Sequence, residues 1–166
     1  MNKAFTKEDD GSAGPQRLDD LPISPHPNHV TPNGLAQLHA RAEALETEIA
    51  RLRAMGEDAE ALYPLAVAER DLRYVEARLA SAILIEPPEG DYPRVQFGAV
   101  VDVLDEDGRP ARYTIVGEDE ADPAKGLIAA PSPLARALLE AETGDVVEWP
   151  RPNGMVELEI VAIRKA

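Results

Sequence analysis

Between Gly56 and Glu60 the chain places three carboxylic acids, Glu57, Asp58 and Glu60, within one helical turn's length. Hard oxygen donors of this kind suit Mg²⁺, which keeps most of its waters and is usually held by one or two protein carboxylates. Glu57 and Glu60 stand three positions apart, so on a helix both would project to one side and could reach the same ion. A two-metal site would then align and activate an attacking water. The same acids also fit a structural task, because negative charge at a helix start is stabilised by the helix dipole.

Other groups with chemical potential are sparse. The chain has no cysteine, which removes thiol catalysis, disulfides and thiolate metal sites. His26, His29 and His39 are scattered and read as solvated side chains rather than as a metal triad. There is no Ser-His-Asp grouping, phosphate-cradling glycine loop or zinc motif, so an autonomous enzyme has little support. Arg51, Arg53, Arg70, Arg73 and Arg78 gather in one stretch of an otherwise acidic chain. They form either an open basic stripe or flanking positions that pair with Glu43, Glu46, Glu48, Glu69 and Glu76. Gly117-Glu118-Asp119-Glu120 reads as a metal cluster or as a solvated strand-end loop.

The elements that carry these groups follow from the residue pattern. Residues 1–29 are rich in Pro, Asp, Gly and Ser without apolar periodicity, the composition of a disordered arm. Thr31 can cap a helix whose first position is Pro32. Leu35, Leu38, Ala42, Leu45, Ile49 and Leu52 then recur at alternating spacings of three and four, and Leu65, Ala68, Leu72, Val75, Leu79 and Ala82 repeat the pattern. The polar segment between these seams is short, which predicts an antiparallel coiled-coil hairpin over residues 30–86 with its acidic tip around Gly56 to Pro64. Such a hairpin buries one narrow stripe and needs a docking domain at its base.

Pro87-Pro88-Glu89-Gly90 breaks the helical pattern, and residues 87–94 read as a linker to a domain over 95–166. That domain reads as strand Val95–Leu104, turn Asp105–Gly108, strand Arg112–Val116, a helix Pro133–Glu140 capped by Ser132, and strands Val146–Trp149 and Val156–Ile163. The expected fold class is α+β: a helical hairpin followed by an antiparallel sheet with one short helix. With 31 acidic against 17 basic residues and a formal charge of −14 over 166 residues, stand-alone DNA or RNA binding is disfavoured and a protein partner expected. No apolar run approaches the roughly 18–20 residues of a membrane span, and Met1–Phe5 lacks a signal peptide's apolar core, so a cytoplasmic monomer is expected.

Phe97-Gly98, the run Tyr113–Pro123, Ser132-Pro133-Leu134-Ala135-Arg136-Ala137-Leu138-Leu139 and Gly144-Asp145-Val146-Val147 closely resemble the C-terminal domain of the bacterial Gre factors, GreA and GreB. Val30–Leu35 resembles their helix opening, and Met1–Thr6 a GreB-type arm. The resemblance implies an FKBP-like fold for the C-terminal domain, docked at the secondary channel of bacterial RNA polymerase through a surface that includes Glu118, Asp119, Glu120, Asp122, Ser132 and Pro133. It further implies that the hairpin enters the channel, where Glu57, Glu60 and the adjacent Asp58 help hold Mg²⁺ shared with the polymerase and stimulate cleavage of backtracked RNA. Arg51, Arg53, Arg70 and Arg73 would face the nascent RNA 3′ end.

Two departures keep a second reading open. The leading acid is Glu57 where the family pattern has Asp, and each arm is shorter than the family's by about a heptad. Short-hairpin relatives of the Rnk type are associated with polymerase binding rather than cleavage. An FKBP-like prolyl isomerase is a third reading, disfavoured because that activity needs an aromatic-lined pocket and residues 91–166 supply only Tyr92, Phe97, Tyr113 and Trp149.

Overall fold

A computed structural model describes residues 17–166. Two helices of equal length dominate its N-terminal half, α1 (Pro32–Ala54) and α2 (Ala59–Ser81). Helix α1 starts as its sequence requires: the Thr31 hydroxyl accepts from the Gly34 N–H, and Pro32 occupies a position that needs no donor. The two seams face each other. Leu38, Ala42 and Val75 are buried in a cluster near the base, and Ile49, Leu52, Ala61 and Ala68 in a second cluster toward the tip. Each 23-residue arm is about 35 Å long at 1.5 Å per residue.

The turn is tighter than the sequence suggests. Helix α2 begins at Ala59 and contains Pro64, so the tip is Met55–Asp58 rather than Gly56–Pro64. Pro64 lies in the second turn, where its missing N–H leaves one carbonyl of the first turn without its helical donor.

Beyond the linker a five-stranded sheet in the order β5-β4-β3-β7-β6 is built from β3 (Val100–Leu104), β4 (Pro110–Val116), β5 (Leu127–Ala129), β6 (Val146–Arg151) and β7 (Gly154–Arg164). All neighbours are antiparallel except β4 and β5, which pair in parallel through a connection containing a single 3-10 turn, Pro123–Lys125. The short strand β5 has no period-two run long enough to stand out in the sequence. Helix α3 (Pro133–Leu138) is capped by Ser132 as expected, and it buries Leu134, Ala135 and Leu138 against Val95, Val101, Val103, Ile115, Ile128, Leu158 and Ile160. On β3, Asp102 accepts from Arg112 of β4 at 2.6 Å and from Arg164 of β7 at 2.8 Å.

The strand expected from Val95 starts only at Val100. Residues 95–99 are instead held by irregular bonds: Val95 N–H to the Ala141 carbonyl, Glu140 N–H to the Val95 carbonyl, Gly98 N–H to the Ile115 carbonyl and Ile115 N–H to the Ala99 carbonyl. The larger difference lies upstream of the hairpin. Residues 1–16 of the expected arm lie outside the described residues, but 17–30 form a strap across the hairpin base. It ends in strand β1 (His29–Val30), paired in parallel with β2 (Ile83–Leu84) just after α2. Composition misleads here because the strap is ordered by bonds to distant residues and not by any periodicity of its own.

Candidate functional site

The tip follows from two backbone devices. Gly56 takes the left-handed conformation, φ 66°, that a side chain disfavours, which reverses the chain after α1. Asp58 then caps α2, its Oδ1 accepting from the Glu60 N–H at 3.0 Å. The capping reading of the acids is realised at one residue. Asp58 is the cap, while the carboxylates of Glu57 and Glu60 are exposed and make no hydrogen bond or ion pair among the described residues.

Glu57 belongs to the turn and Glu60 to the first turn of α2, so they do not share a helical face as their spacing implied. Among the described residues no group of three or more acidic or imidazole side chains converges to hold a metal. The tip therefore fits Mg²⁺ only as a donor of one or two carboxylate oxygens to an ion whose remaining ligands come from elsewhere. Met55, Leu62 and Tyr63 are also exposed at this end, Tyr63 by 66%, so the tip is apolar as well as acidic. The alternation of the seam hints at this, since none of the three falls on it.

The arginines divide into two groups. Arg51 pairs with Glu48 at 2.6 Å, Arg53 with Glu69 at 2.8 Å, and Arg70 with Asp71 at 2.9 Å. The guanidinium beside Glu48 holds that carboxyl below its ordinary range. Arg73 reaches back to the strap, donating to Asp20 at 2.6 Å and to the Leu18 carbonyl at 2.7 Å. The Arg73 hydrogen bond lowers the Asp20 carboxyl. Arg51 and Arg53 thus pair with two of the acids the coiled-coil reading named, whereas Arg70 and Arg73 take Asp71 and Asp20, which it did not.

Arg78 is different. It is 1% exposed, and burying a charge is costly unless it is both paired and hydrogen-bonded. Its Nε donates to Asp119 at 2.6 Å and its Nη2 to the Asn28 side-chain oxygen at 2.8 Å, while Asn28 donates in turn to the Arg78 carbonyl at 2.7 Å. Tyr74, one turn earlier, donates to the other oxygen of Asp119. Burial first, and then that carboxylate, push the Tyr74 phenol up to about 12. The sequence placed Arg78 among the hairpin arginines with no sign that it was special. The signal available was its position three residues after the seam residue Val75.

The acidic loop Gly117–Glu120 completes this junction. Glu118 accepts from Ser24 at 3.0 Å, and Glu120 accepts from Thr31 with one oxygen and from Asn33 with the other. Its three carboxylates, read from the sequence as a metal cluster, a solvated loop or a docking surface, are thus tied to the strap and the hairpin base. The other expected docking residues shape local backbone: Asp122 precedes the 3-10 turn and pairs with Lys125 at 3.6 Å, Ser132 caps α3, and Pro133 is that helix's first residue.

The four aromatics of the sheet domain do not converge. Tyr113 and Trp149 pack edge to face at 6.5 Å beside a cleft of about 500 Å³ floored by Ile128 and Leu134. Phe97 instead packs on His29 of the strap at 5.7 Å, and Tyr92 lines a separate cavity near Thr31. No helix among the described residues is long and apolar enough to cross a membrane.

The chain is similar in sequence to a known family and to named proteins. The family model described as transcription elongation factor GreA/GreB, C-terminal, matches residues 89–165. A transcription elongation factor GreA of Verminephrobacter eiseniae is 42% identical over 125 residues, covering 70% of this chain and 79% of its own. Another, of Alkalilimnicola ehrlichii, is 45% identical over 98 residues, 58% of this chain and 62% of its own. With the latter and with GreA of Nitratidesulfovibrio vulgaris the match spans only about three fifths of the relative's length, 62% and 60%. Similar solved structures include GreA factor homolog 1 (Gfh1) of Thermus thermophilus, 25% identical with a TM-score of 0.39, covering 84% of this chain and 99% of that one. A GreA/GreB factor of Nitrosomonas europaea is 22% identical with a TM-score of 0.41, covering 82% and 98%.

Proposed function

Because the chain belongs to the GreA/GreB family of transcription elongation factors, we propose that it binds bacterial RNA polymerase through its sheet domain and presents the hairpin tip inside the secondary channel to stimulate cleavage of backtracked RNA. The observation that carries this reading is the pair of exposed carboxylates, Glu57 and Glu60, without a partner among the described residues, at the far end of a two-helix arm. Bound Mg²⁺ would supply orientation and activation of the attacking water. Glu57 and Glu60 would contribute carboxylate oxygens to it, and Asp58 would hold the start of α2 so that Glu60 keeps its direction. The protein is then an accessory factor, since the polymerase provides the remaining ligands and the reacting RNA.

A second reading, a channel regulator that binds without cleaving, draws on one observation. Glu57 and Glu60 fall on different backbone elements, a turn and a helix, which makes bridging of one ion more demanding than it is for two residues of one helical face. The isomerase reading has weaker support, with only Tyr113 and Trp149 at the sheet-domain cleft.

The deciding experiment measures RNA cleavage in a stalled, backtracked complex with Mg²⁺, comparing the chain with its Glu57→Ala/Glu60→Ala form. Shortened 3′-end products that vanish in the double variant, with polymerase binding retained, support the cleavage factor. Binding without cleavage by the parent chain would reject it in favour of the regulator.

A further inference from the structure

The buried apolar residues of this protein form separate clusters, and none contains residues of both the hairpin and the sheet. Packing therefore fixes α1 to α2, and the strands to α3, and bears on the angle between the two bodies through the strap, where Phe97 meets His29 at 5.7 Å. That angle is set chiefly by polar contacts to one loop, Gly117–Glu120. They are Arg78 and Tyr74 on Asp119, Thr31 and Asn33 on Glu120, and Ser24 on Glu118. Hydrogen bonds are directional where apolar contact is not. A junction made of them prescribes an orientation.

The orientation matters because the hairpin is a lever. From Arg78 to the start of α2 is roughly 20 residues, or about 30 Å, so a swing of ~10° at the base moves the tip by ~5 Å. We propose that Arg78, clamped between Asp119 of the sheet domain and Asn28 of the strap, is a positioning residue that aims the tip carboxylates although it lies far from them. The strap is part of the device. It supplies Asn28, it pairs with β2, and its residue Asp20 holds Arg73 one turn further along α2. The consequence for cleavage rests on the function proposed above, whereas the consequence for geometry does not.

The absence of native cysteine allows spin labels at two introduced positions, Leu62→Cys near the tip and Glu148→Cys on strand β6. The parent should give one narrow distance distribution. Arg78→Lys keeps the charge but not the fork that reaches Asp119 and Asn28 together, and should broaden the distribution by about 5 Å or more with helical circular dichroism unchanged. Asn28→Ala, which leaves both charges of the latch in place, should broaden it in the same direction but less. Unchanged widths in both variants would overturn the proposal. So would loss of helical signal in Arg78→Lys with an unchanged width in Asn28→Ala, because Arg78 would then hold the helix and not its direction. Glu57→Ala/Glu60→Ala should keep the parental distance. If that double variant cleaves like the parent, the cleavage reading fails while the distance result still decides the positioning role.

Discussion

Arg78 of α2 donates to Asp119 at 2.6 Å, with side chains 2% and 15% exposed, and so joins the hairpin to the sheet by a nearly dry ion pair. Breaking a buried pair by removing one member is far costlier than the net worth of the pair, because the other charge is left uncompensated. Arg78→Met should destabilise the protein by about 3 kcal/mol at neutral pH. Replacing both members, Arg78→Met with Asp119→Leu, should recover part of that loss. Denaturant unfolding of the two variants checks the order, and a double variant less stable than the single would refute it.

The same carboxylate gives the junction an alkaline limit. Tyr74 has its phenol pushed up to about 12 from an ordinary 10.0, by burial and by Asp119. A group whose folded pKa is raised contributes stability that is complete below its unfolded value and is lost as pH climbs through the folded one. The stability conferred by Tyr74 should therefore be full below pH 10 and fall away from 10 toward 12. Unfolding measured across that range should show a decline that Tyr74→Phe removes, and absorbance titration should lose its latest-ionising tyrosine in the same variant.

Gly117 faces the strap at close quarters. A Cβ built there would stand 2.5 Å from the His29 carbonyl oxygen, and the obstacle is backbone, which cannot rotate aside. Gly117→Ala should force the strap off the loop, at a cost on the order of 1–3 kcal/mol typical of overpacking. Amide exchange should quicken at Ile83 and Ile85, whose N–H groups bond to the Asn28 and Val30 carbonyls, while the interior of the sheet stays protected. Uniform loss of protection across the sheet would contradict the local account.

Much of this architecture was legible in residue periodicity. The seams from Leu35 to Leu52 and from Leu65 to Ala82 predicted the hairpin, and Thr31 and Ser132 marked their helix starts, because these signals are local. What periodicity could not show depends on distant partners. The strap is ordered through Asn28, Asp20 and Ser24, each meeting a residue fifty or more positions away. Strand β5 exists only because β4 offers it a parallel edge. Glu118, Asp119 and Glu120 looked like one acidic surface, yet they meet Ser24 and Arg78, Arg78 and Tyr74, and Thr31 and Asn33 respectively, and no spacing rule encodes that.

At the tip the three acids look alike in the sequence but sit differently in the structure, and stability measurements separate the cap from the proposed activity. Asp58 caps α2, so Asp58→Ala should cost about 1 kcal/mol, whereas Asp58→Asn, which keeps the acceptor, should cost much less. Glu57 is exposed and has no partner among the described residues, so Glu57→Ala should leave the unfolding midpoint within experimental scatter. Glu60 lies in the first turn of α2, where loss of its charge should cost only a few tenths of a kcal/mol through the helix dipole. If cleavage falls in Glu57→Ala and Glu60→Ala at parental stability, the carboxylates act on the reaction. If Glu57→Ala instead lowered stability as much as Asp58→Ala, Glu57 would be part of the cap, and the tip would have one free carboxylate in place of a pair.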